Sequence, residues 1–377
     1  MSKYNFTIGF VRRGFSASGG AEAYLKRLAK GVVNAGHVPH LFTTRDWPAN
    51  EWTWGQITHL RESSAIAFAD GLERLRPEAH CDVWMSLDRI WRCDVFRAGD
   101  GVHRAWLERR EKVATAWQKF ARVLNGKHSD LLRLEAALLG KGGASRVIAN
   151  SGMVADEITR IYGYPASKID VIHNGVPVAA FQANAEQRAT ARAALGLNAD
   201  DIALLFVGSG WERKGLRFAI DALEASANSR MRLFVAGRGN QRKYKSRCVH
   251  FLGVMHDLAA IYAAADIFIL PTLYDPFSNA SLEALAAGLP VITTRANGLS
   301  EVIDNGVHGS MVDDARDLRA LVDAIQTWSN PERRAKARPR ILECAAQFDI
   351  SINVARTLEI LLQAANAAST SGKSRNT

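Results

Sequence analysis

Three features of the sequence predict an α/β protein made of two doubly wound parallel sheets. Its 377 residues exceed what one ordinary core accommodates, which favours two domains. Short β-branched or aromatic runs alternate with helical patterns in two separate series, the mark of parallel βαβ units. Between the series the periodicity fails over "NGVPVAAFQANAEQR", which contains a proline, so the linker is expected near 176–186.

The first series comprises "YNFTIGFV" (4–11), "VPHLFTT" (38–44), "CDVWMSL" (81–87), "RVIANS" (146–151) and "IDVIHNG" (169–175). The second comprises "IALLFVGS" (202–209), "MRLFVAG" (231–237), "DIFILPT" (266–272) and "PVITT" (290–294). The expected domains are therefore Rossmann-like, at 1–178 and 186–350. The carboxyl ends of their strands are expected to face an interdomain cleft, the usual ligand position of open α/β sheets. A helical period resumes over 351–367, expected to pack back on the N-terminal domain, and 368–377 reads as a disordered tail.

Apolar content of 47% and charged content of 23% are ordinary for a globular protein. The formal charge of +10 is uneven: residues 1–176 carry 25 Lys+Arg against 18 Asp+Glu, and the remainder carries 23 against 20. Such a bias suits anionic partners, although a solvated surface explains it as well. Cysteines at 81, 93, 248 and 344 show neither CxxC pairing nor zinc-like spacing, so reduced core thiols are expected. No apolar run is long enough for a signal peptide or a membrane span, and the expected location is cytoplasmic. No histidine shows metal-ligand spacing, and no metal cofactor is expected.

Three loops carry chemistry. "FSASGGAEAY" follows the first strand. Its Gly19 and Gly20 let a backbone pass close to an anion, and the helix start near Ala21 offers free N–H groups, although glycines at such turns are often structural. Arg12 and Arg13 stand just before it. "VGSGWERKGL" puts Arg213 and Lys214 at a strand end, where paired cations can hold a diphosphate, without the spacing of a P-loop. In "YDPFSNASLEALAAG", Ser278 or Asn279 can cap a helix. That leaves Glu283 in its first or second turn, where its two oxygens can accept from a ribose diol, and leaves Asp275 in the loop before it. Glu283 can equally complement the dipole alone.

The segments "GGAEAYLKRLAKGVVNAGH", "VIHNGV", "VGSGWERKG" and "DIFILPTLYDPFSNASLEALAAGLPVITTRANGLSEVI" closely resemble the retaining glycosyltransferases of family 4, which have the GT-B fold. The resemblance covers about residues 5–365. Within the family, "LDRIWRCDVFRAGDGVHRAW" is most similar to the enzymes that add the first hexose to the lipopolysaccharide inner core.

The resemblance implies a hexosyltransferase moving a sugar, glucose by family weight, from a UDP-sugar to a lipopolysaccharide heptose or similar glycan. It implies that Arg213 and Lys214 bind the donor diphosphate, Glu283 the ribose, and Gly19 and Gly20 the diphosphate and sugar. Asp275 would lie beside the sugar with Phe277, Ser278 and Asn279 lining the donor loop, and His103 would line the sugar pocket. Asn174 and Gly175 match a structural "NG". Asp275 departs from the family's usual Glu by one methylene, which weakens any inference about donor identity.

Asp100 and Glu22 are the first-domain carboxylates available as a general base, with Glu22, Arg12 and Arg13 on the acceptor side; each also has a structural explanation. A glycosidase would use Asp275 and Glu283 as acid and nucleophile, but the neighbouring cations favour a phosphate leaving group. Other sugar-nucleotide chemistry on the same scaffold, epimerisation or hydrolysis, and a different cell-surface glycan as product are the alternatives. A nucleic-acid binder would leave Arg213, Lys214 and Glu283 without a role, and no nucleic acid is expected. Residues 97–141 hold 10 Lys+Arg against 5 Asp+Glu, interleaved with Trp106, Trp117, Phe120, Leu131, Leu132 and Leu134. This segment is the expected contact with an anionic membrane, on the cytoplasmic face of the inner membrane; an amphipathic helix with its Trp in the core is the plain alternative.

Overall fold

The computed structural model describes residues 5–16, 20–113, 126–255 and 257–373. The chain divides into two compact units, Met1–Ile172 with Asn353–Thr377, and His173–Ile352.

In the first unit the strands are β1 (Thr7–Arg12), β2 (Val38–Thr44), β3 (Gln56–Leu60), β4 (Val83–Ser86), β5 (Cys93–Ala98), β6 (Ala144–Ala149) and β7 (Ile169–Val171). They form one sheet in the order β3-β2-β1-β4-β5-β6-β7, every pair parallel. Helices α1 (Gly20–Asn34), α2 (Ala65–Leu75), α3 (His103–Val113), α4 (Gly126–Glu135) and α5 (Gly152–Tyr162) make the connections. Parallel strands need such crossovers, and a sheet covered on both faces reads as unbroken apolar runs. All four residues of β4 are accordingly buried.

The second unit has β8 (Ile202–Val207), β9 (Met231–Ala236), β10 (Val249–Gly253), β11 (Ile267–Leu270), β12 (Val291–Thr294) and β13 (Gly309–Val312), in the order β10-β9-β8-β11-β12-β13. Its helices are α6 (Ala185–Ala194), α7 (Leu216–Ala225), α8 (Leu258–Ala264), α9 (Asn279–Ala286), α10 (Leu318–Ser329) and α11 (Pro331–Ala346). Its core packs Leu204, Phe206, Phe268 and Ile292 against Ile325 and Trp328. In both sheets the order reverses between the first and fourth strands of the series. At that switch point the two neighbouring connections leave toward opposite faces and open a crevice beyond the strand ends.

The last helix, α12 (Ile350–Lys373), buries Asn353, Thr357, Ile360, Leu361 and Ala365, a helical stripe. Ile360, Leu361 and Ala365 join the core of the first unit with Phe10, Leu25 and Leu41, and the Tyr24 hydroxyl lies 3.1 Å from Thr357 Oγ1. The helix continues past residue 367 to Lys373, so the stretch expected as a disordered tail is helical over its first part. Residues 374–377 lie outside the described residues.

The unit boundary falls at 172/173, ahead of the expected 178. Val176 and Phe181 belong to the second core. The Val176 N–H donates to the Phe348 carbonyl at 3.1 Å, and Ile350 N–H donates back to Val176. The aperiodic stretch after Asn174 is thus tied down by backbone pairing, a non-local contact that periodicity does not register.

Gly215, which precedes α7, sets how that helix meets the end of β11. It has φ +78°, and a Cβ there would lie 1.9 Å from the Pro271 carbonyl oxygen. Gly215→Ala is expected to destabilise the second unit by more than about 2 kcal/mol, combining a left-handed non-glycine residue with a backbone clash. Thermal unfolding should register a fall of roughly 5 °C.

Candidate active site

The second unit concentrates charge at its switch point. β8 ends at Val207, and Gly208 follows with φ +147°; a Cβ there would stand 2.5 Å from Lys214 Cδ. The missing side chain lets the lysine stem cross the loop backbone and bring Nζ to 2.9 Å from Asp275 Oδ2. Both partners are largely buried, at 13% and 8% side-chain exposure. The two loops are laced further. Arg213 Nη1 donates to the Tyr274 carbonyl at 3.1 Å, and the Arg213 carbonyl accepts from Leu273 N–H and Thr272 Oγ1. Asp275 is pinned from the other side, since its N–H donates to Ala296 O and its carbonyl accepts from Gly298 N–H. Asp275 is therefore a fixed counter-ion of Lys214. An ammonium has three donors, so Lys214 can hold Asp275 and an anion together.

Ser278 caps α9, its hydroxyl accepting from Ser281 N–H at 3.2 Å. Glu283 sits in the second turn, half-buried. Its Oε2 and the Ala280 carbonyl both lie 2.9 Å from the Tyr262 hydroxyl. Burial and the carboxylate's charge push the Tyr262 phenol well above its ordinary value, so it remains a donor and fixes the Glu283 rotamer. Asn279 Oδ1 accepts from Asn174 Nδ2 at 2.8 Å, so the "NG" segment anchors the loop at the start of α9. Phe277 is 3% exposed, its ring 5.2 Å from His173 and 6.4 Å from Phe348. Its side chain packs the core, and only its backbone belongs to the loop.

Sequence reasoning missed Asn297, which is fully buried. Its Oδ1 accepts from Ser278 N–H and Leu299 N–H, and its Nδ2 reaches Thr293 Oγ1 at 3.1 Å. The "ANG" turn after the strand "VITT" was the available signal. For Tyr262, inside an alanine-rich helix, the sequence offered none.

In the first unit the switch point lies between β1 and β4. Arg12, at the end of β1, donates from Nη2 to Glu22 Oε1 at 3.0 Å and from Nη1 to Asp88 Oδ1 at 3.4 Å. Arg13 N–H donates to Asp88 Oδ2 at 2.6 Å, and its guanidinium reaches Ser63 O. Arg12 and Glu22 are therefore partners of each other, and Asp88, absent from the sequence-based candidates, completes the group. Gly20 opens α1; Gly19 lies outside the described residues.

Asp100 is exposed in the turn before α3. His103 starts α3, and Glu135 fixes that start: its carboxylate accepts from His103 N–H at 2.7 Å and Arg104 N–H at 3.1 Å. It also takes Arg89 Nε and the Tyr162 hydroxyl, both at 2.7 Å. These four bonds hold the 1%-exposed carboxylate below its ordinary range despite burial. His103 Nε2 lies 3.0 Å from His128 Nδ1, and burial with the Arg89 charge pushes the His103 imidazole down to about 4. Neutral His103 can exchange a hydrogen bond with a sugar hydroxyl without bringing charge.

In the segment 97–141, Leu134 is buried, and Trp106, Leu131 and Leu132 are half-buried. Trp117 and Phe120 lie outside the described residues.

The His103 shift carries a pH dependence. Its folded value lies below the ordinary 6.5, so the unfolded chain takes up the proton first as pH falls. The stability from a neutral His103 is complete above about 6.5 and lost as pH falls toward about 4. His103→Gln is expected to flatten the decline of Tm across that window, with Arg89, Arg110, Glu135 and His128 still in place.

Comparison with known proteins agrees with the two-unit organisation. Residues 18–180 match the family model described as Glycosyltransferase Family 4, and residues 201–330 match Glycosyl transferases group 1. An uncharacterized glycosyltransferase of Methanocaldococcus jannaschii is 32% identical over 181 residues, 44% of this chain; the match spans 46% of that protein's length, less than half. Among solved structures, WaaG, a glycosyltransferase involved in lipopolysaccharide biosynthesis, aligns with a TM-score of 0.79 at 20% identity, covering 94% of this chain and 99% of that one. HepE of Anabaena, solved with UDP and glucose, aligns with a TM-score of 0.71 at 20% identity over 95% of this chain and 99% of its own. With its two parallel Rossmann-like sheets and these two matched domains, the chain is a glycosyltransferase of the GT-B fold, family 4 in its N-terminal part and group 1 in its C-terminal part.

Proposed function

We propose that this glycosyltransferase moves glucose from UDP-glucose to a lipopolysaccharide inner-core heptose, or a similar lipid-linked glycan, with retention at the anomeric carbon. The observation that carries the reading is the Lys214–Asp275 pair at the switch point of the second sheet, with Glu283 held by Tyr262 in the second turn of α9. Arg213 and Lys214 take the diphosphate, Glu283 accepts from the ribose hydroxyls, and Asp275 stands toward the sugar. The choice of UDP-glucose is supported by HepE, solved with UDP and glucose, and that of the acceptor by WaaG, whose role is in lipopolysaccharide biosynthesis.

In the proposed step the bond from the anomeric carbon to the β-phosphate oxygen breaks, and a bond to the acceptor oxygen forms on the same face. The acceptor proton passes to the departing phosphate oxygen, with no covalent sugar intermediate. Cations aimed at the leaving diphosphate stabilise the charge that grows there. Neutral His103 positions a sugar hydroxyl, and Asp100 is the first-unit carboxylate available to assist proton transfer. No metal cofactor enters this scheme, and chelation by EDTA is expected to leave turnover unchanged.

UDP at a hundredfold excess over its dissociation constant should stabilise the fold by about 2.7 kcal/mol, a rise in Tm of several degrees. Glu283→Ala should remove most of that rise. Asp275→Asn frees Lys214 for the diphosphate and should keep or enlarge the rise while lowering turnover about a hundredfold or more. Full turnover in Asp275→Asn would remove this residue from the mechanism, and absence of any shift with UDP or GDP would overturn the donor assignment.

A further inference from the structure

We infer that the arginine cluster around Asp266, at the amino edge of the second sheet, binds a small oxyanion of the phosphate class. Asp266 directly precedes β11, and α6 and α11 bring their arginines to it. Its carboxylate lies 2.7 Å from Arg188 Nη2, 2.9 Å from Arg192 Nη1 and 3.5 Å from Arg334 Nη2, and it also accepts from Ala203 N–H at 2.9 Å. Arg338 stands one turn beyond Arg334 on α11, its Nη1 donating to the Ala287 carbonyl at 2.8 Å. From 333 to 340 the chain carries five Lys+Arg and no Asp or Glu.

The same guanidiniums close the C-terminal ends of three helices. Arg188 Nη1 donates to the Ala263 and Ala265 carbonyls and Arg192 Nη1 to that of Ala264, at the end of α8. Arg334 Nη1 donates to Trp328 and Ser329 at the end of α10, and Arg338 to Ala287 just past α9. These bonds explain why arginines gather here, but not their number. A helix end carries about half a negative charge, so three ends with the Asp266 carboxylate offset roughly 2.5 of four positive charges. Asp201, whose carbonyl accepts from Arg192 Nη2, turns its carboxylate to Asn198 N–H at 2.8 Å.

The excess charge acts on the guanidiniums themselves. Burial and the like charges of Arg188 and Arg192 push Arg334 down from its ordinary value in spite of Asp266, and burial with Arg188 does the same to Arg338. An anion between them relieves that repulsion. Among the described residues Arg338 engages the protein through Nη1 alone, which leaves Nε and Nη2 as a fork for two oxygens. Arg192 and Arg334 are recessed and Arg188 and Arg338 reach solvent, an opening suited to a small anion rather than to a flat surface.

The cluster is remote from the candidate donor residues. β11 starts beside it and runs away from it toward the loop that carries Asp275, and α9 starts at its Ser278 cap and ends at Arg338. The inference therefore stands apart from the donor assignment.

Calorimetric titration of the full chain with inorganic phosphate, at constant ionic strength in chloride, tests it. The wild type should bind phosphate, and Arg338→Gln should weaken that binding about tenfold. Arg188→Gln, on a different helix, should give a comparable loss. Lys336→Gln removes the same charge from an exposed position of α11 outside the cluster and should leave the affinity unchanged, as should Arg213→Gln. An unchanged Tm in chloride would show the Arg338 variant intact. Absence of phosphate binding, or wild-type affinity in both cluster variants, would overturn the inference. An equal loss in Lys336→Gln would also overturn it, by reducing the effect to general charge, and a loss confined to Arg213→Gln would do so by assigning the phosphate to the candidate donor site.

Discussion

The ion pair between Lys214 and Asp275 is the contact around which the strand-end loops of the second unit are arranged. It joins the loop after β8 to the loop after β11, the two strands between which the sheet order reverses. At 13% and 8% exposure, neither charge could be buried alone at low cost, and each is the reason the other is tolerated. Gly208 yields the space for the lysine stem, while the backbone bonds of Asp275 to Ala296 and Gly298 hold the acid in place. In the proposed reading, a cation held this way keeps donors for an incoming phosphate and needs no rearrangement to use them, which is what preorganisation means for a charged leaving group.

The first unit solves a similar problem with different residues. Arg12 is shared between Glu22 and Asp88 at the β1/β4 switch point. In the same unit, Glu135 gathers Arg89, Tyr162 and the backbone N–H groups of His103 and Arg104. Glu135 thereby satisfies the otherwise open start of α3 while remaining ionised in a buried place. The consequence reaches His103, whose imidazole is kept neutral by burial and by Arg89.

Much of the architecture was legible because parallel βαβ units write themselves as repeated apolar runs. β2 occupies the predicted 38–44, and β8, β9, β11 and β12 lie inside the predicted runs. The strands missed were β3, β5, β10 and β13. "QITHL" and "VHFLG" are partly exposed with polar residues interspersed, and the "GSMV" of β13 is short and half-buried. Edge positions relax the demand for continuous hydrophobicity, so β3, β10 and β13 left weak signals.

What the sequence determined by itself was the repeat of βαβ units and the residue types at the strand ends, because both follow from local periodicity and turn chemistry. Arg213, Lys214, Asp275 and Glu283 were legible for that reason. Their partners were decided only by tertiary structure. That Lys214 would meet Asp275, that Tyr262 would hold Glu283, and that Arg12 would be taken up by Glu22 and Asp88 depend on which strands become neighbours across a crossover. Pairings between residues 10 to 76 positions apart in the chain leave no periodic trace, and burial in a folded sheet is what makes them obligatory.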